Sequence, residues 1–274
     1  MEERQAFPMV VVVSGDGLPL EARAELHQAL ALLRSGGGGL ARAMGRLARL
    51  AGTASTPLLR GMGLTSHALQ PAIESMMRRA FDLAIFRQRD TPGPGAWARS
   101  SGFRTAFTAA ASGVAGGFAG LPGFLPDASF TTLLILRNIA AIARENGEDP
   151  RQEATRRACL EVFLLDAPQV ASAPEGAGVR AEETGYFAAR LMLQGGPMIA
   201  VARQAAARFG LVLSQKMGAQ AVPLAGAAAG AVVNTAFLAH YRAVARAHFT
   251  IRRLERLHGE QAVRAAATEQ RPPG

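Results

Sequence analysis

Two stretches of this chain are nearly free of charge and rich in glycine. Between Arg104 and Arg137 the single formal charge is Asp127, and between Lys216 and His240 there is none. Runs of that length have two physical fates, the hydrocarbon of a bilayer or the interior of a protein. Both segments read as helices, the first as a pair over 105–121 and 128–146. Pro122-Gly123-Phe124-Leu125-Pro126-Asp127 is the expected turn between them.

The glycines in these segments are spaced for contact. Ala109, Gly113 and Gly117 lie four residues apart, and Gly116 and Gly120 repeat the interval one row over. Near the other end Gly218, Val222, Gly226, Gly230 and Asn234 keep the same spacing, interrupted by Pro223. Residues four apart share a helix face. Glycine in a helix costs about 0.8–1 kcal/mol per residue relative to alanine, and close approach of two backbones is the natural offset. Gly113, Gly117, Gly120, Gly226 and Gly230 are therefore expected at helix–helix contacts, with Asn234 hydrogen-bonding across. No strand precedes these glycines and no Gly-Lys-Ser follows, so they do not form a phosphate loop.

Magnitudes weigh against a conventional span by the first pair. A helix over 105–121 is roughly 26 Å long, short of a hydrocarbon core of about 30 Å. In its partner, Arg137 falls roughly 14 Å from the start, where an arginine costs about 2.5–3.5 kcal/mol to insert. A shallow hairpin or a protein-buried pair remains. The stretch 217–239 has the length to span, although Pro223 weakens it.

With 274 residues the chain has ample material for a core. Much of its apolar share of 49% is alanine, aromatics are 6%, and Lys216 is the single lysine. A net charge of +9 favours anionic partners at low ionic strength. One cysteine, Cys159, excludes an internal disulfide and fits a reducing compartment. Met1-Glu2-Glu3 is acidic where a secretory signal is basic, so a cytoplasmic location is expected.

Along the chain, 20–33 reads as an amphipathic helix through Leu26, Leu30 and Leu33. After the break at Gly36–Gly39 a basic helix is expected over 40–50, then another over 71–87. Gly147 is positioned to stop one helix and Asp149 to cap the next, which runs to about Leu165. A helix over 180–208 is interrupted at Gly195-Gly196-Pro197, and one long helix covers 223–258. The fold class is mainly α, a multi-helix bundle with two apolar glycine-rich segments. The expected organisation is an N-terminal helical extension over 1–64, a helical domain over 65–258 and a disordered tail over 259–274.

The last long helix is strongly basic. Arg242, Arg246, Arg253 and Arg256 repeat along one side with Phe249 beside them, which suits an anionic membrane surface or an acidic partner. An ordinary solvated face is the plainer account of the same pattern.

Two blocks of sequence together resemble the EcsC family of bacteria. One is Gly113-x-x-Gly116-Gly117-x-x-Gly120-Leu121-Pro122-Gly123-x-x-Pro126-Asp127, continued by Asn138-Ile139-Ala140-Ala141-Ile142-Ala143 and Asn146-Gly147-Glu148-Asp149-Pro150. The other is Val222-Pro223-Leu224-Ala225-Gly226-x3-Gly230-x3-Asn234, followed by Ala245-Arg246-x-His248-Phe249 and Arg253-Leu254-Glu255. The likeness covers about residues 65–258. Asn146 departs from it, since a tyrosine stands there in the family pattern. The family takes its name from a protein encoded beside an ABC transporter implicated in secretion and proteolysis. The resemblance implies a bacterial accessory protein at the cytoplasmic face of the cell membrane, associated with a transport or secretion complex. It supplies no catalytic residue.

Chemistry is thin in this sequence. Asp127 and Asp149 suit helix caps. His240 and His248 are eight residues apart and do not converge on a metal as residues four apart would. No Gly-x-Ser-x-Gly or His-Glu-x-x-His motif occurs. The expectation is a non-catalytic protein that needs no cofactor or metal and reads no specific nucleic acid. The alternative is a soluble hydrolase in which Asp127 or Asp149 meets His240 or His248.

Overall fold

The computed structural model describes residues 17–33, 75, 79, 121–165, 180–220 and 225–269. Helices dominate them. The elements are α1 (20–33), α2 (Leu121–Glu145), α3 (Glu153–Leu164), α4 (Arg180–Gln194), α5 (Met198–Gln220), α6 (Ala225–His258) and α7 (Glu260–Thr268). The mainly α reading holds. Ser75 and Arg79 are also helical, in the segment expected over 71–87.

The long helix α6 is the axis of the bundle. Its 34 residues span roughly 51 Å, and α2, α3, α5 and α7 all pack against it. So many neighbours bury most of its circumference. Phe237, Leu238, Tyr241, Val244, Ala245, Ala247, Phe249, Ile251 and Leu254 all lie in the core. One hydrophobic cluster runs from Leu18, Leu26 and Leu30 of the N-terminal segment to Val263, Ala266 and Ala267 of α7. Aromatics are few, but they meet. Phe163 of α3 sits 4.8 Å from Tyr241 and 5.2 Å from Phe209 of α5, ring centroid to centroid.

Helix α2 ends as its sequence requires. Gly147 has φ +79°, a conformation that costs other residues about 1–2 kcal/mol. The Gly147 amide donates to the Arg144 carbonyl at 2.9 Å and the Glu148 amide to the Ala143 carbonyl at 3.0 Å. Those two bonds define a Schellman stop. Polar side chains within α2 are satisfied locally: Thr132 donates to the Ala128 carbonyl and Asn138 to that of Leu134.

Four boundaries differ from expectation, the simplest being that α5 runs on to Gln220, past the end expected at residue 208. Helix α2 begins at Leu121, so the segment 122–127 expected as a turn is helical, and Asp127 lies inside the helix instead of ahead of it. Both prolines fall within the first six residues, where most amides have no helical acceptor. Asp149 sits one turn ahead of α3. Its carboxylate accepts the Arg151 amide at 3.0 Å, while Gln152 takes the N-cap position. Residues Glu260–Thr268, expected within a disordered tail, form α7 and bury Val263, Ala266 and Ala267 on one face. Gly259, at φ +89°, allows the abrupt change of direction between α6 and α7.

Among the described residues no helix is long and apolar enough to cross a membrane. The stretch 217–239 is not one helix, because α5 ends at Gln220 and α6 begins at Ala225. Gly226 and Gly230 lie in the first two turns of α6, and Asn234 is fully buried one turn further on. Gly113, Gly117 and Gly120 lie outside the described residues, and so does the contact expected between the two glycine stripes.

Candidate functional site

The most concentrated chemistry is a buried polar seam between α3, α4 and α6. Helix α6 supplies His248, Arg252 and Glu255 at intervals of four and three, which places them on one face. Helix α4 contributes Tyr186 and Arg190, four apart. Helix α3 contributes Thr155, Arg157 and Glu161. The Schellman stop after α2 turns the chain so that Glu148 joins them.

Three linked clusters make up the seam. At one end the Glu148 carboxylate accepts from Arg252 Nε and Nη2, at 2.7 and 2.9 Å, and from Arg256 as well. Thr155 donates to the same carboxylate at 3.3 Å. Burial alone would raise the Glu148 carboxyl, but the two guanidinium groups outweigh it and hold it below its usual 4.5. In the middle, the Tyr186 hydroxyl and His248 Nδ1 are 2.9 Å apart. His248 Nε2 lies 3.6 Å from Glu161 Oε2, and Arg157 Nε lies 3.7 Å from Glu161 Oε1. At the far end Arg190 and Glu255 form an ion pair at 2.8 Å, with both side chains 6% exposed.

Charge is conserved within this seam at some cost. His248 is 0% exposed and the Glu161 side chain 3%. At 3.6 Å they are too far apart for a hydrogen bond, and the imidazole, held neutral by burial, makes no ion pair. Burial works against the Arg190 charge, yet the Glu255 carboxylate hydrogen-bonded to it more than compensates and holds its pKa above the ordinary value. Burial also pushes the Tyr186 hydroxyl and the Cys159 thiol upward, so both stay protonated. A thiol in that state is a poor nucleophile.

Glu161 and His248 carry opposite pH signatures. Burial first, then Arg190 and Arg252, keep the imidazole pKa well below 6.5. It stays neutral in the fold while the unfolded chain takes up a proton near 6.5, so this group costs stability as pH falls below that value. Burial pushes Glu161 above 4.5 against the pull of Arg190, Arg252 and Arg157. The folded chain retains a proton there that the unfolded chain releases, so stability falls as pH rises from 4.5 through the folded value. Glu161→Gln cannot ionise. It should match the wild type at pH 4 and exceed it in stability at pH 8, in urea titrations across that range. A variant less stable than wild type at pH 8 would mean that the arginines stabilise the carboxylate overall.

Sequence reasoning named His248 but missed its partners. The acid beside it is Glu161 and not Asp149, and the Asp127 side chain lies outside the described residues. Asp149 is exposed and holds its own turn, and His240 is buried elsewhere on α6. Two signals were available. Glu161 interrupts the run Ala158-Cys159-Leu160-Glu161-Val162-Phe163, where a carboxylate has apolar neighbours on both sides. Glu255 is the one acid among the arginines of α6.

The basic stripe of α6 divides between two uses. Arg253 pairs with Glu25 of α1, and Arg256 with Glu148 and the Asn146 carbonyl. Phe249 is fully buried because α6 is covered on most sides. Arg242 is half-buried and Arg246 exposed. Among the described residues neither has an ion-pair partner. The Arg242 pKa is lowered by burial and then by Arg246 beside it, with the Glu145 carboxylate opposing them in part.

A polar cleft of about 370 Å³ opens where α2 meets α3, lined by Arg144, Gly147, Glu148, Asp149 and Arg151. It does not reach His248. Among the described residues no three His, Cys, Asp or Glu side chains gather as a metal site would need.

No curated protein and no solved structure matches this chain. A model of the EcsC protein family matches residues 95–254, more than half of the chain. The matched region contains all of α2 through α5 and most of α6, and with them the seam from Glu148 to Arg252. It begins at residue 95, later than the likeness expected from about residue 65. By that match the chain belongs to the EcsC protein family.

Proposed function

We propose that this protein is a non-catalytic helical accessory protein that docks on the anionic cytoplasmic face of the cell membrane, beside a transport or secretion complex. The observation that carries this reading is Arg242 next to Arg246. Two like charges one helical turn apart repel each other, and an external anionic surface relieves that repulsion. The net charge of +9 acts in the same sense. Several acids that could have neutralised the surface are used internally: Glu148, Glu161 and Glu255 are buried against arginines.

Attachment of this kind is electrostatic and shallow. Vesicle flotation tests it. Binding to vesicles containing phosphatidylglycerol is expected at 50 mM salt, with strong weakening at 500 mM. Arg242→Ala with Arg246→Ala should lower affinity several-fold, since each basic residue near such a surface contributes about 1 kcal/mol. Equal binding to pure phosphatidylcholine at both salt concentrations would refute the electrostatic reading.

The glycine stripes belong to the same proposal as packing devices. Gly113, Gly117 and Gly120 approach Gly226 and Gly230 near Asn234, keeping the apolar segments inside the protein instead of crossing the bilayer.

A further inference from the structure

Most exposed apolar side chains in this fold are scattered singly, which is ordinary for a protein surface. The corner between α4 and α5 is different. Leu191, Met192 and Ile199 are 57%, 83% and 56% exposed within nine residues. Gly195 and Pro197 at the turn are exposed as well. Two helix ends meet there at a short turn and form an exposed tip.

We propose that this corner is an apolar wedge that enters the headgroup region of an anionic membrane. The inference rests on the membrane-docking reading above and names the element that makes the contact. Three properties favour lipid over protein as the occupant. The first is size. A stable protein interface takes about 800 Å² and 20–30 residues per partner, which three large side chains do not approach. Interfacial insertion needs only about 5–10 Å of apolar depth.

The second is charge placement. Arg203 lies four residues after Ile199 on α5, so it shares that helix face one turn behind the tip, roughly 6 Å back. Arg203 is exposed and has no ion-pair partner among the described residues. With Ile199 in the acyl boundary, the Arg203 guanidinium reaches the level of lipid phosphates.

The third is the backbone. Unsatisfied polar groups are costly near hydrocarbon, and helix C-termini normally leave carbonyls free. At this corner Arg157, reaching across from α3, donates to the Leu193 carbonyl at 2.8 Å and also to the Gly196 carbonyl. The Pro197 carbonyl accepts the Ala200 and Val201 amides, at 2.9 and 3.3 Å. Proline itself brings no amide to desolvate. These bonds leave fewer free carbonyls at the corner than an uncapped helix end would.

Met192→Glu in the full chain, assayed with vesicles of phosphatidylcholine and phosphatidylglycerol, tests the wedge. Met192 is the most exposed of the three, so thermal melting should stay unchanged while vesicle affinity falls at least tenfold. A polarity-sensitive dye on Met192→Cys should shift to the blue when vesicles are added. Cys159 is fully buried and does not compete for labelling. Vesicle binding that is undiminished in Met192→Glu, with no dye shift in the labelled protein, would overturn the wedge and leave the docking reading standing. A wild-type protein that ignores the vesicles would overturn both. A blue shift that follows protein concentration without vesicles, with dimers in sedimentation equilibrium, would assign the corner to a second copy and overturn the lipid wedge.

Discussion

Replacing Glu255 with alanine is expected to destabilise this protein by about 3–5 kcal/mol, because it strands Arg190 as an unpaired charge in the interior. Arg190 is 5% exposed, and its strongest acidic contact is with Glu255. The Tyr186 ring, 6.0 Å from the guanidinium carbon, softens the loss without replacing a carboxylate. For a chain of this size the melting temperature should drop on the order of 10 °C. The informative control is the double variant Arg190→Met with Glu255→Leu. Removing both charges and filling their volume should recover most of the stability, since a buried ion pair often contributes little beyond an apolar pair of similar shape. Urea denaturation of Arg190→Met, Glu255→Leu and the double variant gives the coupling directly. A single-variant loss below about 1 kcal/mol would show that water reaches Arg190, contrary to its burial.

The asymmetry between breaking and replacing a pair says what the seam contributes. It adds little net stability, yet it penalises any arrangement of α3, α4 and α6 that separates its partners. Alanine and glycine are poor at specifying register, since their small side chains interlock weakly. A chain whose most frequent apolar residue is alanine gains specificity from a few polar contacts that fit one arrangement.

That also explains how much of the fold could be read from the residues in order. Helix 20–33, the stop at Gly147 and the break at Gly195-Gly196-Pro197 are local signals, written in spacing, left-handed glycine and proline. Helix α7 was harder. Its buried face is Val263, Ala266 and Ala267, and a face so small gives a weak periodic signal. The start of α2 differs from expectation because two prolines and a glycine usually mean a turn, whereas the first turn of a helix tolerates Pro122 and Gly123, and Pro126 in the second turn gives up a single amide bond.

The seam was mostly illegible for another reason. Glu148 and Arg252 are 104 residues apart, and Tyr186 and His248 are 62 apart. Nothing local to Glu148 distinguishes it from Asp149 next to it, yet one is buried against two arginines and the other faces water. The difference comes from the Schellman turn, whose direction depends on Gly147 and whose destination depends on α6. The basic stripe shows the same limit. Periodicity placed Arg242, Arg246, Arg253 and Arg256 on one side, but α1 and the turn after α2 claim the last two.

Phe163→Ala should be the most damaging apolar substitution among the described residues, at about 3–5 kcal/mol. Phe163 is fully buried on α3 and joins Phe209 of α5 to Tyr241 of α6. Phe209 and Phe237 complete the group, 6.3 Å apart. Aromatics are 6% of the chain, so few other side chains are large enough to fill the space that Phe163 leaves. Neighbouring alanines cannot collapse into it, because they have no side-chain atoms beyond Cβ to rearrange. The loss should therefore fall toward the upper end of the range, where cavities stay open. Phe163→Leu should recover more than half of it by restoring volume. Differential scanning calorimetry of both variants decides the matter. Equal melting temperatures for Phe163→Ala and Phe163→Leu would mean that α3 and α5 close over the gap, and that ring contacts rather than filled volume set the stability of this core.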